Sequence, residues 1–162
     1  SWKGFDSLIE MMKELPEWEL RIAGEGPERE ALEQEIRNEK LEMRVKLLGG
    51  IPREKIWEEL ARARVFVLNT AFESFSYQAV EAMWAGVPVV TTNIGNLREI
   101  IEDGKEGILV APNDKAALLA AIKQLDKDEP FRAGIIKAAR EKAKQFSLQR
   151  TVEQLVTALK SL

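Results

Sequence analysis

The chain has 162 residues and a formal net charge of −3 at pH 7; 45% of its residues are hydrophobic and 31% are charged. This composition is ordinary for one globular domain, and the net charge gives no electrostatic case for nucleic acid, whose binding domains carry a basic stripe. The sequence contains neither Cys nor His, which excludes disulfides, thiolate nucleophiles, Cys-rich zinc sites and the commonest general base. Any chemistry must therefore use carboxylates, Lys, Arg, hydroxyls and backbone amides.

The first part of the chain alternates between helical and strand patterns. Phe5, Leu8, Ile9 and Met12 follow the i, i+3, i+4, i+7 spacing of one buried helix face, which predicts a helix over residues 5–15. The elements predicted next are a strand at 20–23, a charged helix from 27 to about 38, a strand at 45–48, a helix at 52–62 and a strand at 65–68.

A helix after the strand at 65–68 organises the second part. Ser74 or Ser76 can cap its first turn, Gly86 ends it, and Pro88 prevents its continuation. Glu81 is expected about two turns inside it. The remaining predictions are a strand at 89–91, a helix at 97–101, a strand at 108–110, a helix capped by Asp114 and reaching at least 125, and helices at 130–145 and 148–162.

This alternation predicts the fold class. Short buried strands separated by helices of about a dozen residues form parallel sheets through right-handed crossovers. We therefore expect an α/β, three-layer Rossmann-like domain with a mostly parallel five-stranded sheet and helices on both faces. No linker or internal repeat divides the sequence, so residues 1–162 are expected to form a single domain.

Two carboxylates frame the start of the central helix. Glu73 follows the strand at 65–68, and seven residues separate it from Glu81. Ligands of open α/β sheets bind at the carboxyl ends of the strands, and a helix N-terminus attracts phosphate. Carboxylates on either side of that helix start can accept hydrogen bonds from sugar or ribose hydroxyls. By position alone, however, ordinary solvated surface acids are the simpler interpretation.

The sequence around these acids carries a specific pattern. Glu73, seven residues and Glu81-Ala82-Met83 precede Ala-Gly-Val-Pro-Val-Val at 85–90, with Lys-Gly at 3–4 and Gly-Glu-Gly-Pro at 24–27 upstream. This order of motifs resembles retaining glycosyltransferases of family 4, which have the GT-B fold. The resemblance continues through residues 91–101 and 103–110 and so covers nearly the whole chain.

The resemblance implies roles for individual residues. Lys3 and Glu73 would be catalytic, with Lys3 on the donor diphosphate and Glu73 facing the donor sugar, while Glu81 would accept hydrogen bonds from the ribose. Many family members have Gly where this chain has Ser74 and Ser76, so side chains are added to the donor loop. The other residues implied to contact the donor through their backbone are Gly24, Gly26, Pro27, Leu48, Ser74, Phe75 and Ser76.

The resemblance also implies how the chain is used. It would be the C-terminal, donor-binding half of a two-domain enzyme that moves a sugar from a nucleotide-sugar to an acceptor with retention, using no metal and no cofactor. An N-terminal domain would bind the acceptor, and the isolated half is expected to be inactive. The first, central strand of the resembled domain has no counterpart here, which predicts a gap in the sheet.

Function in the cell is less defined by the sequence. Polysaccharide or glycolipid biosynthesis is the expected role, in the cytoplasm, and peripheral membrane contact by the full-length enzyme stays open. No apolar run approaches the length of a membrane span.

Two alternatives also stay open: a glycoside hydrolase with Glu73 and Glu81 as its acid pair, and a non-catalytic Rossmann-like nucleotide-binding module. Met83 and Trp84 are predicted to lie in the core, and Gly95-Asn96 is read first as a helix-capping loop.

Overall fold

A computed structural model describes residues 4–147 of the chain. Lys3 and the helix predicted at 148–162 lie outside these residues. Strands and helices alternate as predicted, with the following bounds: α1 Phe5–Met11, β1 Leu20–Ala23, α2 Arg29–Asn38, β2 Val45–Gly49, α3 Arg53–Arg62, β3 Phe66–Leu68, α4 Tyr77–Ala85, β4 Val89–Thr92, α5 Leu97–Ile100, β5 Ile108–Val110, α6 Lys115–Lys127 and α7 Glu129–Ala143. Short 3₁₀ turns follow α1, at Met12–Glu14, and α7, at Lys144–Phe146.

All strand pairs in the described part of the chain are parallel. β1 pairs with β2, and β3, β4 and β5 pair in that order, with Val67 opposite Val90 and Val90 opposite Ile108. Within residues 4–147, no ladder joins β1 to β3, so the strands form a two-stranded and a three-stranded sheet. The predicted α/β class with parallel strands is confirmed, as is a break in the sheet.

Helices cover both faces of the three-stranded sheet. The strand period of two sends adjacent residues of β4 to opposite faces. Val89 packs in a cluster with α4 and α7, whereas Val90 packs in a cluster with α1 and α6. A third cluster joins α1 and α2 to β1 and β2. In the described part of the chain, no helix combines the length and the apolarity that a membrane span requires.

The central helix begins later than its sequence indicates. Ser76 is its N-cap, and its Oγ accepts a hydrogen bond from the Ala79 N–H at 3.2 Å. Glu81 is therefore the fifth helical residue, little more than one turn from the start, and the expected two turns are wrong. Gly86 ends the helix with a φ of 77°, as predicted for a left-handed C-cap.

The two residues predicted to pack in the core from α4 have different environments. Met83 is fully buried, as expected. The prediction for Trp84 is wrong, because 42% of its surface is exposed. The buried residues of α4 are Ala79, Val80, Ala82 and Met83, so the next position along the helix faces outward.

Candidate functional site

The candidate residues lie in loops at one edge of the two sheets, which we call the carboxyl edge. It consists of the loops that follow β1, β2, β3 and β4, at residues 24–28, 50–52, 69–76 and 93–96. Parallel strands bring their carboxyl ends to the same edge, which is where open α/β sheets bind ligands. The fold thus gives most of the predicted site residues a common location.

Two hydrogen bonds tie the loop after β1 to the loop after β2. The Gly24 N–H donates to the Gly49 carbonyl at 2.8 Å, and the Gly50 N–H donates to the Glu25 carboxylate at 3.0 Å. A Cβ on Gly49 would lie 2.6 Å from that carboxylate, and its φ is 71°. The segments that carry the predicted contacts Gly24 and Leu48 are therefore joined, in part through a Glu25 hydrogen bond that the sequence did not indicate.

The glycines at 24 and 26 leave room for a ligand. A Cβ placed on Gly24 or Gly26 would meet no heavy atom within 4 Å. Gly26 and Pro27 are both exposed. Backbone groups of this turn are therefore accessible from outside, and the contact with a nucleotide that the family resemblance implies stays a prediction.

The Gly95-Asn96 turn supports the loop that carries Glu73. Gly95 has a φ of 45°, and a Cβ there would lie 2.8 Å from the Glu73 carbonyl oxygen. The Asn96 side-chain amide donates to the Ser74 carbonyl. Asn96 occupies the N-cap position of α5, as the helix-capping interpretation predicts, and its carbonyl accepts from the Glu99 and Ile100 N–H groups, although its side chain makes no cap. The turn also fixes the backbone of Glu73 and Ser74.

Phe75 and Ser76, the two residues just before α4, pack their side chains against the chain. Ser76 is completely buried by its capping role. The Phe75 ring packs edge-on against Tyr77 and Phe146, with centroids 4.9 and 5.8 Å apart. Of the two serines that replace glycines of the resembled family, Ser74 alone is exposed. Tyr77 and Gln78 supply first-turn N–H groups that the helix itself cannot pair.

Glu73 and Glu81 differ in their electrostatic surroundings. Glu73 is half-buried and forms no ion pair with any residue between 4 and 147. Glu81 has 25% of its side chain exposed and accepts a hydrogen bond from Arg53 Nη2 at 2.9 Å. Arg53 is the first residue of α3 and follows the loop after β2. This ion pair brings Glu81 next to the loops that carry the glycines.

The backbone after Lys3 also reaches the carboxyl edge. Gly4 has a φ of 54°, and its carbonyl accepts a hydrogen bond from the Asn69 side chain at 3.1 Å. A Cβ on Gly4 would lie 2.3 Å from that amide nitrogen. The neighbour of Lys3 is thus held against the loop between β3 and Glu73. Sequence reasoning missed Asn69 and Arg53 and the partners of Glu25 and Asn96, because each of these contacts spans a long sequence separation.

Comparison with known proteins identifies the family. The model described as glycosyl transferases group 1 matches residues 1–142. The chain belongs to this family. It is 34% identical over 123 residues to a glycogen synthase of Mycobacterium tuberculosis, covering 76% of this chain and 30% of that protein. It is 35% identical over 174 residues to the putative colanic acid biosynthesis glycosyltransferase WcaL of Escherichia coli, covering 99% of this chain and 42% of that protein.

Solved structures of this group 1 fold include nucleotide complexes. The crystal structure of Anabaena Alr3699/HepE in complex with UDP superposes with a TM-score of 0.89 at 31% identity, over 99% of this chain and 46% of that chain. The same protein in complex with UDP-glucose gives a TM-score of 0.89 at 30% identity. The chain thus spans less than half the length of the relatives it matches here.

Proposed function

We propose that this group 1 domain is the donor-binding half of a glycosyltransferase that transfers a sugar from a nucleoside-diphosphate sugar to an acceptor with retention of configuration. The observation that carries the proposal is the start of α4, which lies between Glu73 and Glu81 beside the glycine-lined loops after β1 and β2. A helix N-terminus with unpaired N–H groups is suited to a diphosphate. The UDP and UDP-glucose complexes of Alr3699/HepE support this choice of donor.

The proposed donor extends across the carboxyl edge. The nucleoside lies over Leu48 and the turn containing Gly24, Gly26 and Pro27, and Glu81 accepts hydrogen bonds from its ribose hydroxyls. The diphosphate lies at the backbone of Ser74, Phe75 and Ser76 and at the first N–H groups of α4, with Lys3 as a further cation. Glu73 faces the donor sugar on the other side of the helix start.

The proposed reaction breaks the bond between the anomeric carbon and the diphosphate oxygen, and the electron pair leaves with the diphosphate. The acceptor hydroxyl oxygen bonds to the anomeric carbon on the same face, and its proton passes to the departing phosphate oxygen. Helix amides and Lys3 stabilise the negative charge that develops on the leaving group. Glu73 positions the sugar and stabilises positive character at the anomeric carbon; it is not assigned as a covalent nucleophile.

The acceptor half of the site belongs, in this proposal, to an N-terminal domain of the same protein. The relatives described above are more than twice as long as the segment they share with this chain. The domain by itself is expected to bind donor weakly and to lack turnover. The donor is a substrate, and we propose that neither a metal nor a resident cofactor takes part.

The test uses the full-length protein and a panel of nucleoside-diphosphate sugars. We expect Glu73→Gln to lower kcat/KM by about a hundredfold while nucleotide binding is kept, because a group aimed at the reacting centre is lost. Glu81→Gln is expected to weaken binding of the nucleoside diphosphate by about tenfold, since it removes charge-assisted hydrogen bonds. NMR of the product reports the anomeric configuration.

The control is Glu58→Gln, an exposed carboxylate on α3 that pairs with Lys55. This variant should leave both kcat/KM and the affinity for the nucleoside diphosphate unchanged. Nucleotide binding that is insensitive to Glu81→Gln, or hydrolysis of a glycoside without any nucleotide donor, would contradict the proposal. The latter result would favour the hydrolase alternative.

A further inference from the structure

The ion pair between Arg53 and Glu81 joins two helices at the carboxyl edge. Arg53 Nη2 lies 2.9 Å from Glu81 Oε1, and 28 positions separate the two residues. The Arg53 side chain is 72% exposed, whereas that of Glu81 is 25% exposed. The carboxylate is therefore partly enclosed, and the guanidinium reaches it from the surface.

The pair does little for the stability of the helix that carries Arg53. Arg53 is the first residue of α3, where the positive end of the helix dipole disfavours a cation. Exposed ion pairs contribute little to folding, because solvent screens them and side-chain entropy opposes them. Since neither the helix nor the fold benefits much, the effect of Arg53 falls mainly on Glu81.

Arg53 occupies one of the two oxygens of Glu81. A glutamate side chain without a partner rotates among several rotamers, and fixing it in one of them costs conformational entropy. The guanidinium donates to Oε1, while Oε2 accepts no hydrogen bond from any residue between 4 and 147. The second oxygen stays available for a hydroxyl group, with its position set before a ligand arrives.

We propose that Arg53 is a positioning residue that orients Glu81 for recognition of the ribose of the donor. This inference rests on the proposed function, because it assigns the ribose hydroxyls to Glu81. Arg53 acts through the carboxylate and touches no reacting atom. Its loss lets Glu81 rotate, so a nucleotide must order the side chain when it binds, and the contribution of the ribose hydroxyls to affinity falls.

The experiment compares ribose-containing and ribose-lacking ligands by calorimetry on the full-length protein. The probes are UDP, GDP and ADP and their 2′,3′-dideoxy counterparts, which lack both hydroxyls. The measured quantity is the dissociation constant of the dideoxy nucleotide divided by that of its ribose-containing counterpart, for whichever base binds. Arg53→Ala is expected to lower this ratio by about fivefold, as the loss of one orienting ion pair allows. Arg53→Lys is expected to restore part of it.

Control variants separate this inference from the function on which it rests. Arg62→Ala removes an exposed cation from the other end of α3 and should leave the ratio unchanged. If Arg53→Ala acted only by removing a positive charge or by disturbing the fold, both ligands would bind more weakly by the same factor and the ratio would keep its wild-type value. That result would overturn the inference. If Glu81→Gln also keeps the wild-type ratio, Glu81 does not bind ribose, and the proposed function fails first.

Discussion

Both edges of the sheet carry charged side chains, but their hydrogen-bond and ion-pair partners differ between the amino edge and the carboxyl edge. At the amino edge, where α4 and α6 end, arginines serve the chain itself. Arg132 donates to the carbonyls of Leu125 and Asp126 at 2.8 and 3.2 Å, at the end of α6. Arg140 donates to the Ala85 carbonyl at 3.2 Å, at the end of α4. Cations at helix C-termini satisfy carbonyls that the helix leaves unpaired.

A third arginine at the amino edge also has partners within the chain. Arg64 pairs with Asp126 at 2.5 Å, and its guanidinium lies 5.3 Å from the centre of the Trp18 ring. At the carboxyl edge, by contrast, Glu73 has no ion pair within residues 4–147, and the start of α4 keeps N–H groups that its own turns cannot pair. Glu81 at this edge is paired with Arg53, so the contrast between the edges lies in Glu73 and the first turn of α4, which keep groups that the described chain does not pair.

The largest effect is expected from replacing two glycines with positive φ, Gly95 at the carboxyl edge and Gly86 at the amino edge. Gly95→Ala and Gly86→Ala should each lower the free energy of unfolding by about 1–2 kcal/mol, because both residues adopt left-handed backbone, with φ of 45° and 77°. A Cβ on Gly95 also meets the Glu73 carbonyl, whereas one on Gly86 meets the movable Arg140 side chain. Gly95→Ala alone should lower kcat/KM for the donor, by about tenfold or more.

Urea unfolding and donor kinetics on both variants check this expectation. Equal kinetic losses in the two variants would mean that the carboxyl edge is no more sensitive than the amino edge, and the contrast between them would be lost.

A smaller effect is expected from two helix caps. Ser76 caps α4 at the carboxyl edge, and Asp128 caps α7 at the amino edge by accepting from the Phe131 N–H at 2.9 Å. Replacing either residue by Ala should reduce stability by about 1 kcal/mol. Ser76→Ala should also weaken nucleoside diphosphate binding by about threefold, since it loosens the N–H groups proposed to hold the phosphates. Thermal unfolding and calorimetry measure the two effects; weaker binding in Asp128→Ala would contradict the assignment.

The smallest effect is expected from Arg64→Ala. The variant loses the ion pair with Asp126 and the contact with Trp18, but Arg64 is 63% exposed, so solvent screening limits the change to about 0.5 kcal/mol. Its donor kcat/KM should equal that of the wild type. A fall in kcat/KM without a fall in melting temperature would reveal coupling between the two edges.

The fold could be predicted from the sequence because its signals are local. The short segments at 20–23 and 108–110 were predicted as strands with the bounds observed for β1 and β5, at Leu20–Ala23 and Ile108–Val110. Turn residues with one conformational role, such as Gly86, also behaved as expected. The prediction that Trp84 lies in the core failed, because position along a helix does not reveal which of its faces the neighbouring elements cover.

The site was predicted only in part. Family motifs placed Glu73 and Glu81 at the carboxyl edge, but the groups that hold them act over distance: Arg53 is 28 positions from Glu81, and Asn96 is 22 from Ser74. A lone Arg or Asn has no periodicity that would disclose such a contact. The role of Lys3 and the helix at 148–162 fall outside the described residues and stay predictions.

The break between β1 and β3 changes how the two parts of the domain communicate. The cluster formed by α1, α2, β1 and β2 has its own buried side chains, and no ladder within residues 4–147 connects it to the three-stranded sheet. Phe5, Trp18 and Leu20 pack against both this cluster and the one beneath α6. Because α1 and the turn after it also contribute buried residues to both clusters, folding cooperativity between the two parts is transmitted by side-chain packing rather than by strand pairing.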